Sequence, residues 1–191
     1  MKNKLIVFII GGHGSGKSTV ADHILIHDGF TKIVSSTTRK RRDGEHDGRE
    51  YYFVDDDSFN RMKEAGEFVE FVVHDECYGL NEKEFLKTTD NLVCLINPHG
   101  CQQIIEYIKK RKLKLKPFII HMDISEKERF KNMIKAGYDP IEIQEILKTE
   151  KNFMDFKKIA IKPDLHIKKL QPDLMNTVMD SLRKQWLKLF T

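Results

Sequence analysis

The sequence predicts an α/β fold with a parallel, doubly wound sheet and a small β-rich subdomain inserted after the first strand and helix. Two observations predict the sheet: apolar runs of strand length alternate with helix-length segments, and a glycine-rich loop follows the first run. A third predicts the insertion, since residues 35–90 carry short β-prone runs around a highly charged segment. With 191 residues, 40% of them hydrophobic, the chain suits a single domain.

The first strand, loop and helix form a phosphate-binding motif. The apolar run at residues 5–10 predicts a buried strand, and the apolar spacing over residues 19–28 predicts a helix. Between them, residues 11–18 match the pattern of a glycine, four residues, then Gly-Lys-Ser. A glycine-rich turn that binds nothing is the alternative, and the strand and helix on either side argue against it.

Each residue type in this loop has a chemical reason. Glycines let backbone N–H groups turn toward phosphate oxygens, and the helix N-terminus adds partial positive charge. Lys17 can reach the β- and γ-phosphates, and the Ser18 hydroxyl can ligate the Mg²⁺ that bridges them. We therefore expect Ser18 to bind the metal and ATP to be bound by Gly12, His13, Gly14, Ser15, Gly16, Lys17, Ser18 and Thr19.

The insertion is predicted to contain short strands and helices. A strand begins near Ile33, residues 39–50 are too charged for a core, and residues 51–54 restore strand character. Asp55 and the polar residues after it can cap a helix that ends near Gly66, and a further strand follows at residues 68–73. A short helix is predicted at residues 80–89.

The rest of the chain continues the alternation. Buried strands are predicted at residues 91–96 and 118–123, separated by a helix and a basic stretch, residues 109–116, that we expect to be a solvated helix end and loop. Ser125 can cap a helix that Gly137 closes, and Asp139-Pro140 can open another. A short strand at residues 165–167 precedes a closing helix, whose predicted core stripe is Leu174, Val178, Leu182 and Trp186.

Composition excludes several classes of protein. The formal net charge is +4, from 33 Lys plus Arg against 29 Asp plus Glu, which suits small anionic ligands and gives no reason to expect nucleic acid as a partner. The three cysteines lack the paired spacing of a zinc or redox motif, so we expect reduced thiols in a cytoplasmic protein. The first apolar run is too short for membrane insertion and lacks an export cleavage site.

A second motif lies in the insertion. Ser35-Ser36-Thr37-Thr38-Arg39 is followed by Arg42-Asp43-Gly44-Glu45, Asp47-Gly48 and Tyr51-Tyr52-Phe53. This series resembles the guanylate kinase family, in which Ser-x-Thr-Thr-Arg, Arg-x-Gly-Glu, Asp-Gly and Tyr-x-Phe follow the phosphate loop in that order. The resemblance continues through residues 66–70 and Tyr78-Gly79, and it covers the second half of the chain only in layout.

The resemblance implies a P-loop kinase core with an inserted monophosphate-binding subdomain and a helical lid, within a single domain spanning residues 1–191. The implied core is residues 1–34, 91–124 and 163–191, the subdomain residues 35–90, and the lid with flanking helices residues 125–162. The implied catalytic residues are Lys17, Arg39 and Arg129. The implied monophosphate-binding residues are Ser35, Arg39, Arg42, Tyr51, Glu70, Tyr78 and Asn97.

Elementary chemistry agrees with these roles. Arginines and tyrosines donate well to a phosphate dianion, the Glu70 carboxylate can accept from N1–H and N2–H of guanine, and the Ser35 hydroxyl can donate to O6. The alternatives are that residues 39–42 form a solvated loop, and that Glu70 faces solvent from its strand.

Three departures from the family pattern stand out. The family strand that ends Asp-Ile-Asp reads Leu95-Ile96-Asn97 here, and Leu80 replaces the Ser or Thr that follows Tyr-Gly and contacts guanine. Lid arginines are missing from residues 144–147, which leaves Arg129 as the one arginine nearby.

The sequence predicts ATP-dependent phosphoryl transfer to a nucleoside monophosphate, with GMP or dGMP as the favoured acceptor and ATP and Mg²⁺ as cofactors. Alternatives are a modified deoxynucleoside monophosphate, a phosphorylated sugar, or a catalytically impaired module that binds phosphopeptides. Lys17 and Ser18 argue against the module, and Glu70 and Ser35 against the sugar. We expect small-molecule nucleotides as partners, no membrane, no nucleic acid, and a monomer or homodimer.

Overall fold

The computed structural model describes residues 3–73, 76–150 and 161–188. Its main sheet has five strands, and all neighbouring strands pair in parallel. In spatial order they are β2 (Phe30–Lys32), β7 (Asn91–Leu95), β1 (Lys4–Gly11), β8 (Leu115–Met122) and β9 (Leu165–Ile167). The predicted parallel α/β sheet is confirmed.

Helices cover both faces of this sheet because side chains alternate along the strands. Leu5, Val7 and Ile9 of β1 face α1 (Lys17–Leu25) and α7 (Leu174–Leu187). On the opposite face of β1, Ile6, Phe8 and Ile10 pack against α4 (Pro98–Lys110). Residues 5–10 are fully buried, so the predicted central strand is confirmed.

The inserted subdomain contains a second sheet of four strands, in the order β4 (Tyr52–Phe53), β3 (Ser36–Thr37), β6 (Tyr78–Asn81) and β5 (Phe68–Val72). The helix α2 (Asp56–Glu64) begins at the predicted cap, where Asp55 accepts a hydrogen bond from the Ser58 N–H at 2.6 Å. Leu80 and Phe85 join the subdomain to the core around α4.

Two predictions for the subdomain are wrong in detail. Leu80 lies in β6 instead of a helix, because it pairs with Glu70 across the sheet, and the helix α3 covers only Lys83–Leu86. The strand predicted from Ile33 is divided: residues 30–32 pair with β7, and residues 36–37 join the second sheet. Between them, the Val34 N–H donates to the buried Glu84 carboxylate at 2.9 Å.

The two helices α5 (Glu126–Lys135) and α6 (Pro140–Glu150) form a separate unit packed around Met133, Ile143 and Leu147. The Ser125 cap is confirmed, and Gly137, at φ 88°, ends α5 as predicted. Residues 151–160, part of the predicted lid, lie outside the described residues.

Two further predictions need correction. The basic stretch begins at the end of α4, which closes at Lys110 as predicted, but the predicted loop is too long, because β8 already begins at Leu115, which pairs with Lys4 of β1. Trp186 is 45% exposed, so the core stripe of α7 ends at Leu182.

Among the described residues, no helix combines the length and apolar character needed to cross a membrane.

Candidate active site

The glycine-rich loop connects the carboxyl end of β1 to the start of α1. Gly14 and Gly16 have φ values of 72° and 86°, a region that glycine adopts without strain. A Cβ atom on Gly14 would lie 2.5 Å from the carbonyl oxygen of Arg129, so this position requires glycine on steric grounds as well. Gly16 is the N-cap of α1 and supplies no side-chain acceptor. The first N–H groups of α1 therefore lack a side-chain cap, as an anion site at a helix N-terminus requires.

Lys17 lies inside this loop. Its Nζ donates to the Gly12 carbonyl oxygen at 2.7 Å. Burial lowers the pKa of Lys17 to about 8, with the Glu150 carboxylate opposing this change and Arg129 adding to it. The ammonium group is therefore mostly protonated at pH 7 and can act as a point charge toward a phosphate.

Residues of α5 and α6 contact the loop directly. Arg129 donates from Nε to the His13 carbonyl oxygen at 2.8 Å, and its guanidinium group lies against Gly12. Asn132 donates from Nδ2 to the Gly14 carbonyl oxygen at 2.8 Å. These bonds place α5 against the phosphate loop.

Glu150, at the end of α6, completes this contact. Its Oε1 accepts from the His13 backbone N–H at 2.6 Å and contacts the His13 ring, while its Oε2 pairs with Arg129. Burial by itself would raise the pKa of Glu150, but the hydrogen bonds from His13, together with the charge of Arg129, lower it to about 2. An ionised carboxylate thus accepts from a loop N–H of the kind that binds phosphate.

The second sheet brings together three of the side chains that the sequence predicts to bind the monophosphate, namely Arg39, Tyr51 and Tyr78. Arg39 is buried, lies over the Tyr51 ring at 5.4 Å and donates to both oxygens of Glu45 at 2.7 and 3.0 Å. The Tyr51 and Tyr78 rings meet edge to face at 5.7 Å. Burial raises the pKa of Tyr78 to about 12, and the Glu76 carboxylate that accepts from its hydroxyl at 2.8 Å adds to the rise. Tyr78 therefore stays a protonated donor.

Arg42 links the subdomain to the lid. Its Nη1 lies 3.2 Å from the Tyr138 hydroxyl, between α5 and α6, and its guanidinium group lies 5.8 Å from the centre of that ring. The arginine segment forms one wall of an open cavity of about 480 Å³ lined by Thr38, Arg39, Lys40, Arg41, Arg42 and Glu76. Arg39 is buried, so it does not fit the alternative of a solvated loop, whereas Lys40, Arg41 and Arg42 are exposed and lie outside regular secondary structure, as that alternative expects.

Glu70 is only 6% exposed, so the alternative of a solvent-facing residue is wrong. Burial raises its pKa to about 7. Leu80 is its cross-strand partner, and a Cβ atom on Gly100 would lie 2.7 Å from its Oε1. Leu80 is itself fully buried in the core around α4, so its side chain adds to the apolar surroundings of the carboxylate.

The sequence also predicts Ser35, Asn97 and Ser18 as site residues, and Leu95 is one of the departures from the family pattern. Ser35 is half-buried, and its carbonyl oxygen accepts from the Tyr52 N–H at 2.9 Å. Asn97 caps α4, since its Oδ1 accepts from the Gly100 N–H at 2.8 Å. Ser18 is exposed and Leu95 half-buried. Mg²⁺ often takes one or two protein oxygens and keeps several waters, so the Ser18 hydroxyl with nucleotide phosphates fits a magnesium site.

Sequence reasoning missed Glu150 and Asn132. Both are polar positions on amphipathic helices, more than 100 residues from the loop they contact. Neither belongs to a motif, and nothing local distinguishes them from solvated neighbours. Only the packing of the lid helices against the loop reveals them.

Comparison with known proteins decides the family. The family model described as guanylate kinase matches residues 2–158. The chain belongs to the guanylate kinase family. Guanylate kinases of Novosphingobium aromaticivorans and Porphyromonas gingivalis are 35% and 34% identical over 144 and 155 residues. These alignments cover 72% and 76% of this chain, and 63% and 80% of the two relatives.

A longer alignment agrees with this family assignment, and a solved structure has the same fold. The guanylate kinase of Clostridium tetani is 29% identical over 189 residues, which is 96% of this chain and 84% of the relative. The crystal structure of guanylate kinase from Anaplasma phagocytophilum superposes with a TM-score of 0.63 at 22% identity, covering 96% of this chain and 86% of the other. That likeness supports the fold.

Proposed function

We propose that this member of the guanylate kinase family transfers the γ-phosphoryl group of ATP to a nucleoside monophosphate, with GMP or dGMP as the favoured acceptor. The observation that carries the acceptor class is the buried Glu70 carboxylate, to which no described neighbour donates a hydrogen bond. The paired N–H groups of guanine could donate to this carboxylate and offset the desolvation that raises its pKa. The relatives named guanylate kinase support the same acceptor.

The donor side of the reaction rests on the phosphate loop. Backbone N–H groups and Lys17 hold the β- and γ-phosphates, and Ser18 holds Mg²⁺, which neutralises charge on those phosphates when bound. Arg129, already beside Gly12, neutralises charge on the transferring group. The helices α5 and α6 close over this side as a lid.

The acceptor side belongs to residues 35–90. Arg39, Arg42, Tyr51 and Tyr78 hold the monophosphate, while Glu70 and Ser35 read the base. Asn97 lies at the boundary between the two sides, at the start of α4. Catalysis is then positioning plus charge neutralisation, and no residue is needed as a general base. A cytoplasmic location and a monomeric or homodimeric state stay predictions.

The test is a coupled ADP-release assay with every ribo- and deoxynucleoside monophosphate. We expect GMP and dGMP to give the highest kcat/KM. A flat panel together with tight phosphopeptide binding would instead favour the binding module, and activity confined to a modified deoxynucleotide or a sugar phosphate would reassign the acceptor.

Lys17→Ala tests the donor side in the same assay. Removing a charge that contacts the transferring group should lower kcat by about a thousandfold or more, with the far-UV circular dichroism spectrum unchanged. The matched control is Lys109→Ala, which removes an exposed lysine from α4 and should leave kcat unchanged. Full activity in folded Lys17→Ala protein would overturn the proposed function.

A further inference from the structure

Two histidines and an aspartate meet at the carboxyl edge of the main sheet, where β8 and β9 end. His121 is the last residue but one of β8, and Asp123 follows two positions later on the same face. The parallel register places His166 of β9 directly beside His121, and the Asp123 N–H continues the ladder by donating to the Ile167 carbonyl oxygen at 2.8 Å. The backbone therefore fixes the three side chains as neighbours.

The side chains converge as well. His166 Nε2 lies 3.1 Å from Asp123 Oδ2, and the His121 and His166 rings stack with their centroids 4.7 Å apart. One ligand atom from each of the three residues lies within 4.8 Å of the other two. His121 is half-buried, and the other two are exposed to solvent.

We propose that His121, Asp123 and His166 form a binding site for a divalent transition-metal ion of the zinc class. Two imidazole nitrogens and one carboxylate oxygen are a donor set that Zn²⁺, Co²⁺ and Ni²⁺ favour, and water can fill the remaining positions. Mg²⁺ prefers oxygen ligands, so this site is distinct from the one at Ser18.

The geometry needs only a small adjustment to hold such an ion. Bonds of about 2.0–2.2 Å place the ligand atoms of a tetrahedral ion roughly 3.3–3.6 Å apart. The pair formed by His166 and Asp123 already lies at 3.1 Å. Because both of these side chains are exposed, rotation about their χ angles can bring all three ligand atoms to one ion without moving the sheet.

An ion at this site would connect the last strand to the entrance of the lid. Asp123 lies two residues before Ser125, whose hydroxyl caps α5. The ion would therefore hold the chain segment just before α5 against β9. This proposal does not depend on the phosphoryl-transfer reaction.

The test uses the full chain, treated with a chelator and dialysed, and titrated with Zn²⁺ by calorimetry and with Co²⁺ by visible absorption. We expect one ion per chain in both titrations. His166→Ala and Asp123→Asn should each weaken binding by about 100-fold or more, since loss of even an indirect partner of a metal ligand costs 10–100-fold. Millimolar Mg²⁺ should not compete.

His23→Ala is the matched control, because His23 and His27 form the other close imidazole pair of the described chain, with ring centroids 5.5 Å apart. This variant should bind Zn²⁺ as the wild type does. Absence of binding to the wild type, unchanged binding in both site variants, loss of binding in His23→Ala, or a cobalt–thiolate charge-transfer band would each overturn the proposal. Circular dichroism spectra check that every variant is folded.

Discussion

Glu70 shows how burial changes the chemistry of a single residue. Its carboxyl group has an ordinary pKa of 4.5 in water, and burial in the subdomain raises that pKa to about 7. The charged form is therefore disfavoured until a partner supplies hydrogen bonds. Binding of a base with two N–H donors would favour ionisation, so the carboxylate pairs with its ligand at the cost of releasing a proton near neutral pH.

The stability of Glu70→Gln should reveal this burial. A carboxyl group whose pKa rises on folding favours the folded state below its unfolded pKa of 4.5 and loses that contribution as the pH rises through 7. Between pH 5 and pH 8, the free energy of unfolding of the wild type should therefore fall relative to Glu70→Gln, by at most about 3 kcal/mol. Urea unfolding of both proteins at the two pH values measures the difference.

The control for this measurement is Glu142→Gln, which changes an exposed glutamate at the start of α6. Its free energy of unfolding should follow that of the wild type at both pH values. If the free energy of unfolding of Glu70→Gln also follows that of the wild type at both pH values, the Glu70 carboxylate is solvated and its pKa is ordinary.

Glu70→Gln also tests base recognition. Glu70→Gln presents an NH₂ group where guanine needs an acceptor, so about 1–3 kcal/mol of discrimination between GMP and AMP should be lost. The ratio of kcat/KM for the two acceptors measures this loss. An unchanged ratio would mean that Glu70 does not contact the base.

At the scale of a secondary-structure element, Asn97 begins α4. Its Oδ1 accepts from the Gly100 N–H at 2.8 Å, and Pro98 occupies the first turn. The residue also lies beside the phosphate loop, because β7 pairs with β1 and places Leu95 opposite Ile9. Asn97 therefore caps a helix at the edge of the sheet where the proposed nucleotide site lies.

Two substitutions at Asn97 separate these roles. Asn97→Ala should lower the free energy of unfolding by about 1 kcal/mol, the usual cost of a lost N-cap, whereas Asn97→Asp keeps the cap. Asn97→Asp should also lower the free Mg²⁺ needed for half-maximal activity, because a carboxylate adds charge beside the loop. Magnesium titrations at fixed ATP measure this; superimposable curves for Asn97→Asp and wild type would leave Asn97 as a cap alone.

At the scale of the whole molecule, the unit formed by α5 and α6 contacts both the inserted subdomain and the phosphate loop. Tyr138 reaches Arg42 of the subdomain, and Glu150 reaches His13 and Arg129 at the phosphate loop. Glu150 engages a backbone N–H and a guanidinium group that a phosphate of ATP would also use. At the proposed ATP site, binding of ATP would therefore require the end of α6 to release the loop.

Glu150→Gln should make this release easier. Removing the negative charge weakens the bonds to His13 and Arg129 and removes repulsion toward the phosphates, so the Kd for ATP should fall by about tenfold, or roughly 1.4 kcal/mol. Calorimetric titration with ATP and Mg²⁺ measures it. Glu145→Gln, an exposed position on the same helix, should leave the Kd unchanged. An unaltered or higher Kd in Glu150→Gln would show that Glu150 does not compete with phosphate.

The sequence by itself determined the features that depend on local order. Apolar runs of strand length, the glycine-lysine-serine loop and the caps at Asp55 and Ser125 act over a few residues, and the structure has them where the pattern indicated. The motif after Ser35 likewise pointed to a cluster in which Arg39, Tyr51 and Tyr78 do meet.

Only the tertiary structure decided the features that depend on distant partners. Strand pairing placed Leu80 in β6 and divided the segment around Ile33, because backbone hydrogen bonds from other parts of the chain outweighed local propensity. Packing buried Glu70 and placed Glu150 beside His13, two facts that alter the pKa of each carboxylate. The spacing of residues along one chain carries no record of such contacts, since burial and charge pairing arise only when separate segments fold against each other.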